Sequence, residues 1–206
     1  MAKYLTVTEP VLGENTYVIY NELNEALIVD PGVTLPWLQQ VLKAHELTPV
    51  AILLTHGHYD HIAQVDTVVE AYQIPVYIHK KDANCFVNPK ANLGTITLAS
   101  KPEVLKGSEG RIEINQFTVQ FWHSPGHSPG STVFSVNQDF VLISGDVLFS
   151  GSIGRFDFPT SNEAHHQASL KRIFATFSDQ VKVLPGHGMP TTIGQERMHN
   201  PFKSWF

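Results

Sequence analysis

Apolar positions along this chain fall into short runs that switch between two periods. "YLTVTEP", "TYVIYN" and "EALIVDPG" are rich in β-branched and aromatic residues and predict three strands. The separators "VLGEN" and "NELN" have turn composition. In "LPWLQQVLKAHEL" the apolar positions 35, 38, 41 and 42 have helical spacing, with Pro36 in the first turn. "PVAILLTH" is a continuous apolar run, as in a strand buried on both faces. "DHIAQVDTVVEAYQ" returns to helical spacing and "IPVYIHK" to a strand. The stretch 81–110 is weakly patterned and predicts a loop with one helical turn. Strands resume in "RIEINQFTVQFWHSPG" and "STVFSVNQDFVLISGD". A helix follows in "SNEAHHQASLKRIFATF", capped by Ser161 or Asn162. "VKVLPGHG" predicts a last strand and "TTIGQERMHNPF" a short terminal helix.

The two halves share a plan of strands, helix and strand, without a sequence repeat or a linker between them. The expectation is one domain over residues 1–206. Its class is α/β: two mixed β-sheets packed face to face and flanked by helices, a four-layer αββα sandwich.

Composition narrows the function. A chain of 206 residues with 42% hydrophobic and 16% charged positions suits a soluble globular protein. Its formal net charge of −5, without a basic stripe, argues against nucleic acid as partner. No apolar run reaches membrane-spanning length. The N-terminus lacks the apolar core of a signal peptide. One cysteine, Cys85, excludes an internal disulfide, fits a small apolar filler and suits a cytoplasmic location. Oligomeric state is not legible.

Histidine is the outlier, at eleven residues. His56, His58 and His61, with Asp60, crowd into "THGHYDH" directly after an apolar strand. Burying four such groups unpaired is costly, whereas a metal ion pairs them. The other strands also run into coordinating residues: Asp30 after "LIV", His127 in "HSPGHSPGS", Asp146 after "LISG", His187 in "LPGHG". Sites in open α/β sheets form at such carboxyl ends. His56, His58, Asp60, His61, His127, Asp146 and His187 exceed one four-coordinate ion. They suit two divalent cations bridged by Asp146, whose carboxylate has two oxygens. Zinc is the first expectation, with iron or manganese also matching N and O donors. His45, His79, His123, His165, His166 and His199 stand alone and are read as non-ligands, His123 least firmly because it adjoins the His127 loop.

"THGHYDH", "SPGHSPGS", "SGDVLF" and "PGHG", in this order, resemble the metallo-β-lactamase superfamily. The resemblance implies the αββα fold, one metal on His56, His58 and His127, and a second on Asp60, His61 and His187. It implies Asp146 as bridge and Asp30 as a residue that orients a ligand from behind. Within the superfamily, "LFSGSIGRFDFP" is most similar to the glyoxalase II-like hydroxyacylglutathione hydrolases of short bacterial type. The additional C-terminal glutathione-binding region of full-length glyoxalase II is not expected here. Asp146, where many true β-lactamases have cysteine, points away from antibiotic hydrolysis.

Two dications sharing one water lower its pKa toward neutrality, and the hydroxide so formed attacks a carbonyl. Asp60 and Asp146 are the candidate catalytic carboxylates, Asp60 orienting the nucleophile. A thiolate with pKa near about 8.5 departs without a strong general acid. The expectation is therefore a dinuclear metallohydrolase cleaving a small thioester, such as S-lactoylglutathione to lactate and glutathione. The alternatives are another ester or thioester, or a mononuclear iron persulfide dioxygenase on the same fold, which shares a "GRxDF"-like segment. Arg155 is a candidate for binding a substrate carboxylate, against an ion pair with Asp157 that fixes its own loop. Lys80 and Lys81 read as solvated surface lysines. Phe149, Phe156 and Phe158 suit a pocket mouth or the core equally.

Overall fold

The computed structural model describes residues 3–137 and 141–206. The start of the N-terminal segment, and the junction at 138–140 within "STVFSVNQDFVLISGD", lie outside the described residues.

The first sheet takes β1 (Lys3–Thr8), β2 (Asn15–Tyr20), β3 (Glu25–Val29), β4 (Thr48–Leu53), β5 (Val76–His79) and β6 (Glu103–Leu105), in that spatial order. β1 to β3 pair antiparallel, and β3 to β6 parallel. The parallel pairs need crossovers. These are α1 (Leu35–Ala44) between β3 and β4, and α2 (Tyr59–Ile62) with α3 (Val65–Tyr72) between β4 and β5. The second sheet takes β7 (Glu109–Ile114), β8 (Phe117–His123), β9 (Thr132–Val136), β10 (Val141–Gly145), β13 (Lys182–Pro185) and β14 (Thr191–Thr192), in the order β14-β13-β10-β9-β8-β7. Its parallel pair, β10 and β13, is bridged by α4 (Glu163–Thr176). A small hairpin of β11 (Leu148–Phe149) and β12 (Ser152–Ile153) precedes α4, and α5 (Ile193–His199) follows β14.

Alternation along buried strands fixes the layers. In β3, Ala26 and Ile28 face α1 and α3, meeting Leu38, Leu42, Val65 and Val68. Leu27 and Val29 point the other way, into the space between the sheets. There they meet Phe117, Phe121 and Phe134 of the second sheet. The far face of that sheet carries Val133, Leu142 and Val183 onto Leu170 and Ile173 of α4. Three apolar layers separate four layers of structure, the αββα sandwich the pattern predicts. The C-terminal segment docks on the same side: Phe206 stacks on Phe174 at 3.7 Å, and Asn200 donates to the Ser152 carbonyl at 3.0 Å.

Three details differ from the sequence expectation. The single helix predicted over 60–73 is two helices, because Gln64 turns its backbone N–H away to the Pro31 carbonyl at 2.9 Å. The stretch 81–110 holds the expected single turn, Ala83–Phe86, and also β6 and the start of β7. The β11–β12 hairpin lies in a segment to which the hydrophobic pattern assigns no element, because its strands have two residues each. Of the two cap candidates for α4, Asn162 accepts from the His165 backbone N–H at 2.9 Å.

Candidate metal centre

β3, β4, β10 and β13 point their carboxyl ends at one edge of the sandwich, and the residues just beyond those ends converge. Past β4, the extended segment 55–58 places His56 and His58 on the same side, with ring centroids 4.6 Å apart. Gly57 between them is needed for space: a Cβ there would lie 2.5 Å from the Cβ of Cys85. α2 begins directly after His58 and brings Asp60 and His61 inward. Asp30 follows β3, Asp146 follows β10 and His187 comes two residues after β13. The loop between β8 and β9 supplies His127.

Two groups of donor atoms result. His56, His58 and His127 form one, and Asp60, His61 and His187 the other; within each, one donor atom per residue lies within 4.8 Å of the rest. Asp146 touches both. Its Oδ1 is 3.4 Å from His61 Nε2, and its Oδ2 is 3.4 Å from His127 Nε2 and 3.7 Å from His187 Nε2. Asp30, His56 and His61 also lie close together. Both Asp30 oxygens are already engaged there, by the Thr55 backbone N–H at 2.8 Å, the Thr55 hydroxyl at 2.6 Å and His61 Nδ1 at 3.0 Å.

These partners set the imidazole tautomers. Nδ1 of His61 donates to Asp30, and Nδ1 of His127 donates to the Arg155 carbonyl at 2.9 Å. The Thr55 hydroxyl gives its proton to Asp30 and so accepts from Nδ1 of His56 at 3.1 Å. His56 and His61 are left with a bare Nε2, whereas Nε2 of His127 lies 2.9 Å from Nδ1 of His58, from which it accepts. Nε2 of His56, His58 and His61 and Oδ1 of Asp146 are buried, with no hydrogen-bond partner among the described residues. Unpaired buried lone pairs are costly, and convergent ones fit a cation. The donor set therefore fits divalent metal.

The titration tendencies divide the two groups: the first favours neutral imidazole, while the carboxylates around His61 and His187 favour the protonated ring until a cation displaces the proton. Burial, reinforced by neighbouring imidazoles, pushes His56 and His127 well below the usual histidine range. Burial and His61 push His58 down to about 4. Metal ligation requires neutral imidazole. For His61 burial works against the charge, but Asp146, Asp60 and Asp30 outweigh it and raise the pKa well above normal. Burial also opposes ionisation of Asp60, yet His61 and His187 hold it below the ordinary carboxylate range.

The centre opens on a cavity of about 410 Å³. Tyr59, Leu93, Phe149, Arg155 and Phe158 line it together with the donor residues. Arg155 makes the ion pair with Asp157, through two bonds of 2.8 and 2.9 Å, and lies over the Phe158 ring at 4.3 Å. Phe156 turns away from the cavity and packs on Trp205 at 5.3 Å.

A profile of the metallo-beta-lactamase superfamily matches residues 10–188. The chain belongs to that superfamily. It is 38% identical to "Probable metallo-hydrolase YqgX" of Bacillus subtilis, over 93% of each chain. It is 32% identical to the hydroxyacylglutathione hydrolase GloC of Haemophilus influenzae, over 92% of each. Among solved structures it resembles the B3 metallo-beta-lactamase BLEG-1, with a TM-score of 0.92, 40% identity and coverage of 97% and 99%. It also resembles TTHA1623 in a di-iron-bound form, with a TM-score of 0.85, 34% identity and coverage of 96% and 99%. Superfamily membership and the His/Asp cluster together make this a divalent-metal-binding metallohydrolase fold. Among the described residues, no helix is long and apolar enough to cross a membrane.

The isolated histidines sit elsewhere. His123 donates to the Pro129 carbonyl at 2.8 Å and stacks on His79; His166 bonds the Val147 carbonyl at 2.9 Å under α4. Sequence reasoning missed Asp82, which accepts from the Gly57 N–H at 3.0 Å, the Gly130 N–H at 2.6 Å and the Ser128 hydroxyl at 2.6 Å. It ties the segment carrying His56 and His58 to the loop carrying His127. Its place after Lys80 and Lys81 disguised it as surface. Tyr59 and Leu93 gave no signal beyond proximity to the motif and a weakly patterned loop.

Proposed function

We propose that the chain is a single-domain dinuclear metallohydrolase that cleaves a small thioester, with S-lactoylglutathione the leading candidate. The observation that carries this reading is the pair of donor triads opening on one cavity, with a carboxylate of Asp146 reaching both. His56, His58 and His127 would hold one cation and Asp60, His61 and His187 the other, with Asp146 shared. Two divalent cations, zinc in the first instance and iron next, would supply a nucleophile at neutral pH and stabilise the developing oxyanion.

The chain's own residues do the rest. Asp30 and the Arg155 carbonyl fix the rings of His61 and His127. Asp60, held ionised, accepts a hydrogen bond from the attacking water and orients it. Leu93, Phe149 and Phe158 surround the acyl group and exclude water, and Arg155 stands at the wall for a carboxylate. A thiolate leaves unprotonated, so the wall needs no general acid. The similarity to GloC supports this substrate class.

The likeness to BLEG-1 favours a second reading, hydrolysis of a β-lactam amide. One experiment separates them: turnover of S-lactoylglutathione and of a chromogenic cephalosporin by the same metal-loaded preparation. Chelator-sensitive release of lactate and thiol, with the cephalosporin slower by orders of magnitude, supports the thioesterase. The reverse preference overturns it.

A further inference from the structure

On the far side of the His127 loop from the metal centre, three cavities adjoin one another. The first, about 430 Å³, is lined by His79, Lys80, Lys81, Lys106 and His123, with the backbone at 107–108. The second, about 290 Å³, shares Ser108 and His123 with it and adds Arg172 and His165. The third, about 230 Å³, shares Lys81 with the first and His165 with the second. Among the described residues no carboxylate lines any of the three. That segregation is unexpected in a chain with 19 acidic residues against 14 Lys and Arg.

The groove has a fixed floor and free cations. The rings of His79 and His123 stack at 3.9 Å, 10° from parallel. Nε2 of His79 lies 3.2 Å from the Gly107 carbonyl, and Nε2 of His123 lies 2.8 Å from the Pro129 carbonyl. Arg172 donates to the carbonyls of His123 and Ser108, which anchors α4 to the groove wall. The ammonium groups of Lys80, Lys81 and Lys106 have no ion-pair or hydrogen-bond partner among the described residues. Three such charges on one concavity are mutually repulsive, and the repulsion is relieved by a multivalent anion. Burial, the neighbouring His123 and the charge of Lys81 hold His79 down at about 4.

We propose that this groove binds a small polyanionic phosphate compound, a free polyphosphate or the diphosphate of a nucleotide, through Lys80, Lys81 and Lys106. The site is separate from the metal centre, and the inference stands whatever the hydrolase acts on. Lysine, a compact charge on a flexible stem, suits phosphate oxygens presented at several angles.

The test is a titration of the metal-loaded full chain with inorganic pyrophosphate, and in parallel with ADP, followed through histidine side-chain NMR resonances. Resonances of His79 and His123 should move saturably, and potassium chloride at equal ionic strength should leave them in place. In the double variant K81A/K106A the midpoint should weaken by about tenfold or more, while thioester turnover is unchanged. Tighter binding of ADP identifies nucleotides as the source; equal affinity identifies free polyphosphate. Shifts confined to the metal-centre histidines, or undiminished binding by the double variant, overturn the proposal.

Discussion

Oδ2 of Asp30 accepts from His61 Nδ1 at 3.0 Å and from the Thr55 hydroxyl at 2.6 Å, so one carboxylate orients two neighbouring imidazoles. His61 is held directly. His56 is held through Thr55, whose hydroxyl can accept from His56 only because its own proton goes to Asp30. His56 belongs to the group with His58 and His127, and His61 to the group with Asp60 and His187. Asp30 therefore orients one ring in each of the two donor groups proposed to hold metal.

Asp30→Asn is the informative change. Asp30 has φ of 50°, a left-handed conformation that asparagine also tolerates, so the backbone is preserved. The lost charge should weaken metal affinity by about 10- to 100-fold, the usual effect of removing a partner behind a ligand. Competition against a chelating dye measures it. Unchanged affinity at both sites would refute the relay through Thr55.

Gly186 makes a steric prediction. A Cβ at this position would lie 2.2 Å from Asp146 Oδ1 and 2.7 Å from His61 Cε1. If the proposed two-cation centre holds, Gly186→Ala should displace the Asp146 carboxylate and lower the bound metal below two ions per chain. Hydrolysis should fall by about 100-fold or more, beyond the cost of losing an outer contact. Elemental analysis of the native and variant proteins supplies both counts. A variant that keeps full metal and full rate would show that Asp146 does not bridge.

The sequence exposes this candidate centre because coordinating residues follow apolar strands, and the carboxyl ends of the parallel pairs β3–β4 and β10–β13 share one edge of the sandwich. Asp30, His56, Asp146 and His187 are legible as candidates on that ground alone, and His61 through the crowding of "THGHYDH". What is not legible depends on contacts far apart in the chain. The break between α2 and α3 rests on the Gln64 N–H finding Pro31. β6 has three residues, of which Leu105 alone is buried, so no alternation marks it. Asp82 lies in a charged run and becomes a buried strut only when the loops at 57 and 128–130 close on it. Lys80 and Lys81 look like ordinary solvated lysines until Lys106 and the two stacked histidines join them.

Asp66 predicts acid sensitivity in the long excursion after β5. Its carboxylate accepts the backbone N–H groups of Ala99 at 2.7 Å and Ser100 at 2.9 Å. Partial burial opposes its ionisation, but the bonds from Ser100 and Ala99 outweigh burial and lower its pKa. A carboxyl whose folded pKa lies below its unfolded value contributes stability above the unfolded value, about 3.9, and loses it as pH falls through the folded one. Asp66→Ala should cost about 1 kcal/mol at pH 7, allowing for solvent at this half-buried site. The difference from the native chain should shrink steadily below about pH 4. Urea melts at several pH values test this, and a gap that does not narrow in acid would assign the cost to something other than the charge.

Arg155 faces two partners. Its guanidinium is engaged by Asp157 in a fork of 2.8 and 2.9 Å, and it also lines the cavity above Phe158. Both members of the pair are well exposed, at 66% and 63%, and exposed pairs add little to stability. Arg155→Ala should therefore leave the melting temperature unmoved. If the guanidinium binds a substrate carboxylate, KM for S-lactoylglutathione should rise about tenfold with kcat little changed, the signature of a lost uniform binding contact. Asp157→Ala frees the guanidinium and should lower KM or leave it unchanged. A native KM in Arg155→Ala, with Tm falling instead, would leave Arg155 as the brace of its own loop.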